Sequence, residues 1–420
     1  MKDACYPAAQ GLMSVDDALA FILSKAAPIS DIENLDISHV LGRILARPQI
    51  STVNVPPYDN SAMDGYAFAS GDISTGGDTP LRVSQRIAAG QTSQPLIPGT
   101  AARIFTGAPI PLGADCVVMQ EHCHAANDVV ITSPPVHAGQ NIRARGEDVK
   151  AGATILEAGI KLRPQDMGLV ASIGVAQLPV YRPLRVAIFS TGDELTAPGT
   201  PLAPGKIYNA NRYTLTGLLH ALHCDVIDVG IVPDNLAATR SALAAAAQQS
   251  DLIITSGGVS VGDEDHVKAA VEALGHLDMW RIAMKPGKPL AFGSINNLTQ
   301  NGLSTPFFGL PGNPVSVFAT FGLFVRPFIL RRQGMTHTLP QPVSVRADFD
   351  WLQSGNRREY LRARLHTGTD GTTSAVIYSN QSSAALTSVS WAHGLICIAE
   401  GTTVQRGQMV SFIPFTELLA

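Results

Sequence analysis

Near the middle of the sequence, a glycine-rich turn and three acidic residues lie between a short apolar run and a helical pattern. The stretch 251–266 reads DLIITSGGVSVGDEDH. Residues 252–254 are typical of a buried parallel strand, and 264–274 show helical spacing that ends at Gly275. A strand, a glycine-rich turn and a helix start indicate an anion site, because free N–H groups and the helix dipole point toward it.

Within this turn, Gly257 and Gly258 permit positive φ and let a phosphate approach the backbone, so we expect their N–H groups to contact an anion. The carboxylates of Asp263, Glu264 and Asp265 would repel a bare anion, which indicates a divalent cation between them and a phosphate. The alternative is an acidic helix start of the kind found in any protein. The cofactor-binding residues predicted in the turn are Ser256, Gly257, Gly258 and Ser260.

Four other predicted strands of the same region also end in polar, glycine-rich or lysine-bearing loops. In an open parallel sheet, ligands bind beyond the carboxyl ends of the strands, so we expect these loops to converge. Acidic side chains suit Mg²⁺, and cationic side chains neutralise phosphate or oxyanion charge. The set favours a phosphate-and-metal site over solvated loops and helix caps. The candidates are Glu194, Asp234, Asp263 and Asp265 for the metal, Lys285 and Lys288 with Arg281 for the anion, and Pro311 and Pro314 in the last loop.

Two short motifs suggest other chemistries. Residues 258–262, GVSVG, match the nucleophile elbow of serine hydrolases, with Ser260 as the nucleophile. This hypothesis is disfavoured because the predicted strand ends several residues before Ser260 and the nearby aspartates would oppose an oxyanion. His122 and His124 lie in an EHCH motif that could bind zinc, but a fourth ligand at normal spacing is lacking. A polar strand end is the simpler interpretation of that motif.

The composition argues against several classes of protein. The chain has 420 residues, 45% hydrophobic and 15% charged, which is typical of a folded globular protein of about three domains. A net charge of −4 argues against a nucleic-acid partner. No signal-peptide pattern and no apolar run near ~18 residues is apparent, so we expect no membrane association. Five scattered cysteines without a CxxC motif predict a reduced, cytoplasmic protein.

The patterns predict a multidomain α/β plus β fold. The helical N-terminal region 1–50 is expected to combine with 146–180 as a helical or extended linker domain, with helices over 12–27, capped by Ser14, and over 37–46. The other domains are a small inserted β domain over 51–145, a doubly wound α/β domain with a mostly parallel sheet over 181–333, and a C-terminal β-barrel-like domain over 334–420.

Strand and helix signals alternate in the central domain, which is typical of βαβ units. Its predicted strands are 185–189, 225–232, 252–254, 279–283 and 306–310, and its predicted helices are 212–220, 236–249, 264–274 and 315–330.

The two flanking domains show short β-type runs instead. The small domain has predicted strands at 82–87, 101–105, 116–120 and 129–131, and residues 59–67 are interpreted as an ordered turn. Beyond 334 helical patterns are absent, and a hairpin of 361–366 and 374–378 is predicted across Asp370 and Gly371.

Several motifs together resemble the molybdopterin molybdenumtransferase family, to which the eukaryotic gephyrin E domain is related. The motif TSGGVSVGD also occurs in the related adenylyltransferase domain, whereas NSAMDGYA, RIFTGAP and the C-terminal β region favour the transferase. The motifs occur in the family's order and cover most of the chain. They are NSAMDGYA (60–67), RIFTGAP (103–109), RGEDV (145–149), STGDEL (190–195), TSGGVSVGD (255–263), KPGKP (285–289) and LPGNPVS (310–316).

This resemblance implies that adenylylated molybdopterin, molybdate and Mg²⁺ bind, and that Mo-molybdopterin and AMP are products. It further implies a homodimer whose cleft lies between the central domain of one chain and the small β domain of the other. The molybdopterin adenylyltransferase and other cofactor-biosynthesis proteins are expected as partners. The alternative is a binding or scaffold protein of the same fold that has lost the chemistry.

The resemblance assigns site residues to both sides of the expected cleft. Two positions depart from the family pattern, Ala210 where Ser is common and Glu264 where an aromatic residue is common. The implied residues are Asp64, Thr106 and Asp148 on the β-domain side, and Glu194, Asp234, Asp265, Lys285, Pro311 and Pro314 on the other.

Overall fold

The structure is a computed structural model that describes most of the chain. The described residues are 12–75, 77–132, 135–259, 266–297, 304–369 and 371–419, without the side chains of Met279 and Trp280. Ser260, Asp263, Glu264, Asp265 and Asp370, which carry predictions, lie outside these residues.

A six-stranded sheet forms the centre of the α/β domain, and its first four strands are parallel. The last two pairings are antiparallel, so the sixth strand runs in the same direction as the first four. The fifth strand was not predicted, because its flanking prolines and internal Gly293 weaken the strand pattern. In order across the sheet, the strands are Asp225–Val232, Arg185–Thr191, Leu252–Ser256, Ser304–Leu310, Pro289–Asn296 and Gly275–Arg281.

Helices cover both faces of this sheet, as predicted. Phe307 and Phe308 are neighbours on one strand and belong to two different hydrophobic cores, one on each face. All five residues of Leu252–Ser256 are therefore buried, which explains its continuous apolar start. The helices are Ala210–Ala221, Leu236–Gln249, His266–Leu274 and the long segment Pro314–Thr320, Phe321–Val325 and Arg326–Arg332, whose middle part is a π-turn.

The long segment Pro314–Arg332 has the length and composition of a membrane-spanning helix. However, 89% of its most apolar window is buried inside the protein. Phe328 packs against Phe292 and Phe308 at ring-centroid distances of 5.7 and 5.2 Å. These contacts are those of a core helix, which explains its apolar composition.

The small β domain contains one mixed six-stranded sheet. Its strand Gly65–Phe68 is buried at every position, although residues 59–67 were interpreted as a turn. Only 62–64 form a bend there. Gly65 already belongs to the strand and lies against Val118, whose carbonyl oxygen would be 2.0 Å from a Cβ at this position. In sheet order the strands are Cys116–Met119, Gly65–Phe68, Thr100–Ile104, Thr79–Ile87, Val129–Thr132 and Cys123–Ala126.

The linker region contains less helix than predicted. The helix Val15–Ser24 is present with Ser14 as its N-cap, and Pro164–Ser172 is helical. The predicted helix over 37–46 is wrong, because only Ile37–His39 forms a 3₁₀ turn. Pairing with the segment 160–181 overrides the helical pattern there. The linker strands are Ile32–Asp36 with Gln177–Tyr181, Gln49–Ile50 with Thr154–Leu156, and Asn60–Ser61 with Ile142–Arg143.

Five strands close into a barrel in the C-terminal domain, and the predicted hairpin is present. The expectation of no helix is wrong, since Leu386–Trp391 and Phe415–Leu419 are short helices. The two-residue strand Met284–Lys285 of the central domain pairs with the barrel from outside. The barrel strands are Val343–Ala347, Arg358–Thr367, Thr373–Ile377, Gly394–Ile398 and Met409–Pro414. In the central domain, a separate small sheet pairs Leu195–Thr196 with Ile207–Tyr208.

Asp251 lies just before the central strand Leu252–Ser256 and connects the linker to the α/β domain. Its carboxylate is 2.6 Å from Arg182 and 3.2 Å from Arg185, and Arg182 also pairs with Asp31. Burial alone would raise the pKa of Asp251, but hydrogen bonds from both arginines outweigh it and lower the pKa to about 2. The ionised carboxylate therefore stabilises the folded state.

This depressed pKa makes stability depend on pH. The ionised Asp251 carboxylate contributes about 2 kcal/mol to the free energy of unfolding. This contribution is present above the unfolded-state pKa near 4 and is lost as pH falls through about 2. We expect Asp251→Asn to lower the free energy of unfolding at pH 7, with the difference from wild type shrinking toward pH 2. Urea unfolding at a series of pH values measures this. A difference that stays constant across the series would contradict the assignment.

Candidate active site

A cleft of about 880 Å³ opens at the carboxyl edge of the central sheet. As predicted, loops after several strands converge there. The barrel supplies a further wall. Of the predicted residues that the structure describes, those lining the cleft are Glu194, Asp234, Ser256, Gly257, Gly258, Lys285, Lys288, Pro311 and Pro314.

The glycine-rich turn forms the floor of the cleft and requires both of its glycines. Gly257 and Gly258 have φ of 89° and 65°. A Cβ on Gly257 would lie 2.6 Å from the Thr191 carbonyl oxygen, and one on Gly258 would lie 2.6 Å from Val267. The Gly257 N–H donates to the Leu310 carbonyl at 3.1 Å, so it does not face an anion as expected. The prediction of an anion contact in this turn therefore remains for Gly258 alone.

Buried hydroxyl groups lie beneath this turn. The Ser256 and Ser190 hydroxyls are 3.1 Å apart and hydrogen-bonded. The hydroxyls of Thr191 and Thr255 are buried and have no hydrogen-bond partner among the described residues. Buried unpaired hydroxyls are costly, and of these two residues Thr191 lines the cleft.

Two carboxylates stand on one side of the cleft. Glu194 and Asp234 follow adjacent parallel strands whose last residues, Thr191 and Val232, are in register. In the described part of the chain neither carboxylate makes a hydrogen bond or an ion pair. Unpaired carboxylates at one sheet edge are suitable ligands for a hard cation. The structure does not describe Asp263 and Asp265, and the described residues alone contain no cluster of three metal-binding side chains.

The cationic residues lie on the opposite side, in the loop 285–289. Lys285 and Lys288 line the cleft, and the Lys285 ammonium is 3.0 Å from the Glu359 carboxylate of the barrel. The predicted residue Arg281 ends its strand before the loop and is not among the residues lining the cleft. The sixth strand runs in the same direction as the first four, so the loop that follows it lies at the same edge as the acidic residues, as predicted from the strand ends.

Polar residues of the barrel complete this cationic wall. Arg357 lines the cleft and donates to the Met284 carbonyl at 3.4 Å. Ser382 and Ser383 line it as well, supported by buried Arg362, which donates to the Ser382 carbonyl at 3.1 Å. Sequence reasoning missed these residues, because their approach depends on how the barrel docks. Clustered polar residues at 380–383 were the one available signal.

The proline-bearing loop 311–314 closes the end of the cleft. Asn211 donates to the Gly312 carbonyl at 2.7 Å and ties this loop to the helix Ala210–Ala221. Ala210, one of the departures from the family pattern, lines the cleft at the first position of that helix. The side-chain nitrogen of Asn209, the N-cap, is buried without a partner among the described residues.

Asp64, Thr106 and Asp148 belong to the small β domain and its edge, and none of them is among the described residues lining the cleft. The Asp64 carboxylate accepts hydrogen bonds from the Thr106 N–H and hydroxyl, each at 2.8 Å. These bonds lower the pKa of Asp64. Asp148 is exposed, and its N–H donates to the Val55 carbonyl. Within one chain, the structure therefore separates these residues from the other predicted ones.

Family models match three parts of the chain. Residues 13–174 match the MoeA N-terminal region (domain I and II), residues 187–331 match the probable molybdopterin binding domain, and residues 344–415 match the MoeA C-terminal region (domain IV).

Individual proteins are similar over nearly the whole chain. The molybdopterin molybdenumtransferase of Haemophilus influenzae is 40% identical over 97% of this chain and 100% of its own length. Gephyrin of Dictyostelium discoideum is 35% identical over 76% of this chain and 49% of its own length. The crystal structure of a molybdopterin biosynthesis moeA protein from Pyrococcus horikoshii superimposes with a TM-score of 0.82 at 28% identity, covering 96% of this chain and 100% of that one.

The cleft floor gives a direct test of the glycine requirement. Gly257→Ala adds a clash with the Thr191 carbonyl to the strain of positive φ, whereas Gly199 has φ of 91° and open space around it. We expect Gly257→Ala to cost roughly 2–4 kcal/mol and Gly199→Ala about 1 kcal/mol. Chemical denaturation of both variants measures the difference. Equal losses would show that the backbone relaxes and that contact with Thr191 does not fix the turn.

Proposed function

The chain belongs to the molybdopterin molybdenumtransferase family and is an enzyme of molybdenum cofactor biosynthesis, and we propose from this premise that it inserts molybdate into adenylylated molybdopterin with release of AMP. The observation that carries the proposal is the division of charge in the cleft. Unpaired carboxylates stand on one side, and lysines with an arginine stand on the other. A substrate with a phosphoanhydride and an oxyanion needs both.

The cationic side suits molybdate. Lys285, Lys288 and Arg357 approach from two domains, and Ser382 and Ser383 add hydroxyl groups. A tetrahedral dianion takes hydrogen bonds from several directions, which a wall built from two domains provides. These side chains bind and orient the oxyanion beside the floor of the cleft, where the Gly258 N–H would contact the pterin phosphate.

The acidic side fits Mg²⁺. Glu194 and Asp234 are oxygen donors that line the cleft and have no partner within the described residues. We propose that they hold the cation together with Asp263 and Asp265, which the structure does not describe. When bound, Mg²⁺ would neutralise charge on the phosphoanhydride during its cleavage. The protein's own contribution is to keep these carboxylates at two adjacent strand ends, facing the same space.

We further propose that the active unit is a homodimer. Asp64, Thr106 and Asp148 are polar residues remote from the cleft of their own chain, and the Asp64–Thr106 pair is exposed and already ordered. Such a pair could complete the cleft of a second copy.

We propose a cytoplasmic location, which the four unpaired cysteines among the described residues support. The molybdopterin adenylyltransferase is the proposed supplier of substrate.

The other candidate functions have less support. A scaffold that had lost the chemistry would not need unpaired carboxylates on one side of a cleft and lysines on the other. The hydrolase hypothesis for Ser260 is weakened because the strand ends at Ser256, four residues earlier. Ser260 itself lies outside the described residues.

Removing either free carboxylate tests the metal side. We expect Glu194→Ala and Asp234→Ala to lower kcat/KM for AMP release by about 100-fold or more at saturating Mg²⁺, with unchanged folding. Asp225→Ala is the matched control, because Asp225 is an exposed acid at the other end of the strand that precedes Asp234. Wild-type turnover in Glu194→Ala across a Mg²⁺ titration would remove Glu194 from the metal site.

Mixed dimers test the shared cleft. Combining Asp64→Ala chains with Glu194→Ala chains should restore about a quarter of wild-type activity, since half of the random dimers carry one intact cleft of two. Combining Glu194→Ala with Asp234→Ala should restore nothing, because both changes affect the same side. AMP release after subunit exchange, verified by mass spectrometry, gives the result. No recovery in proven Asp64/Glu194 heterodimers would place the cleft within one chain.

A further inference from the structure

The ammonium group of Lys285 is held by the barrel before any substrate binds. Its nitrogen is 3.0 Å from Oε2 of Glu359 and 5.9 Å from the ring centroid of Trp351. Lys285 and Glu359 are also direct partners in the two-residue parallel pairing between the central domain and the barrel. Both the backbone and the side chain of Lys285 are thus positioned by another domain.

Glu359 is unusual because its carboxylate is buried. Its side chain is 8% exposed, whereas that of Lys285 is 49% exposed. Apart from the Lys285 ammonium, no group in the described part of the chain pairs with Oε2. A buried carboxylate is strongly unfavourable without a partner, so Glu359 depends on Lys285. The half-exposed ammonium in turn remains accessible from the cleft.

We propose that Glu359 is a positioning residue, which holds the Lys285 ammonium at the cleft and partly offsets its charge until a substrate oxyanion binds. This inference rests on the proposed function, because it requires an oxyanion at Lys285. Lys288 differs from Lys285 in that it lines the same cleft without an ion pair among the described residues. The two lysines therefore differ in their surroundings: Lys285 is held beside a carboxylate, and Lys288 has no such partner in the described part of the chain.

The charge of Glu359 has a measurable consequence. A negative charge beside the ammonium weakens the attraction for any anion, and it also prevents the lysine from moving away from the reacting position. Glu359→Gln keeps the shape and removes the charge. Anion binding should then become tighter while the reaction slows, because the ammonium is no longer held in place. A purely structural role would lower both together or neither.

The test compares Glu359→Gln with Asp16→Asn. Asp16 makes an ion pair with Arg358 at 2.7 Å and joins the first helix to the same barrel strand, without contacting Lys285. We expect Glu359→Gln to bind sulfate and molybdate about three- to tenfold more tightly by calorimetry and to lose at least about tenfold in kcat for AMP release. Asp16→Asn should change neither value.

Two results would overturn the role of Glu359: unchanged or weaker anion binding in Glu359→Gln, or unchanged turnover. If wild-type protein binds and turns over its substrates but Glu359→Gln matches it, only this inference fails. If wild-type protein binds no oxyanion and releases no AMP, the proposed function fails and the inference with it.

Thermal unfolding gives an independent measurement. Lys285→Ala leaves Glu359 buried and unpaired, so its Tm should fall, and the double variant Lys285→Ala/Glu359→Gln should recover most of the loss. Lys288→Ala is the control and should melt like wild type. A Lys285→Ala protein with wild-type Tm, or a double variant without recovery, would contradict the dependence of Glu359 on Lys285.

Discussion

The site depends on the backbone pairing that docks the barrel and the N-terminal segment onto the central domain just before its lysine loop. The Ala283 N–H donates to the Met13 carbonyl at 2.7 Å, and the Ala283 carbonyl accepts from the Arg358 N–H at 2.9 Å. One residue is thus hydrogen-bonded to both the N-terminal segment and the C-terminal barrel. Because main-chain hydrogen bonds fix direction as well as distance, the loop 285–289 is oriented by three domains at once. The cationic side of the cleft exists only in the assembled molecule.

The acidic side has a different origin. Glu194 and Asp234 follow neighbouring parallel strands, and their positions follow from sheet register alone. Strand register positions the acidic side of the cleft, and domain docking positions the cationic side. The two sides can therefore meet different structural requirements. The proposed metal ligands need a rigid frame, whereas the proposed oxyanion must be surrounded by groups from several directions.

Sequence patterns predicted those parts of the site that depend on local structure. The helix over 236–249 and the residues at all five predicted strand ends follow from periodicity and from the rule that parallel strands present their carboxyl ends together. Arg357, Glu359 and Ser382 could not be found this way, since their approach to the cleft depends on barrel docking. The strands Pro289–Asn296 and Gly65–Phe68 were missed because proline and glycine beside them resemble turns. The Gly257 N–H was predicted to contact an anion, but it donates a hydrogen bond to the Leu310 carbonyl.

The first helix has a consequence for how the chain acquires its structure. Val15 and Ile22 belong to the same hydrophobic core as Phe328 and Leu418, so contacts across nearly the entire sequence complete that core. The sheet of the small β domain is contained within residues 65–132 and can form early in synthesis. The N-terminal helix packs against Arg326–Arg332, so it must wait for this partner until most of the chain has left the ribosome. Assembly of the enzyme is therefore a late event, and an emerging chain exposes an apolar helix throughout most of its translation.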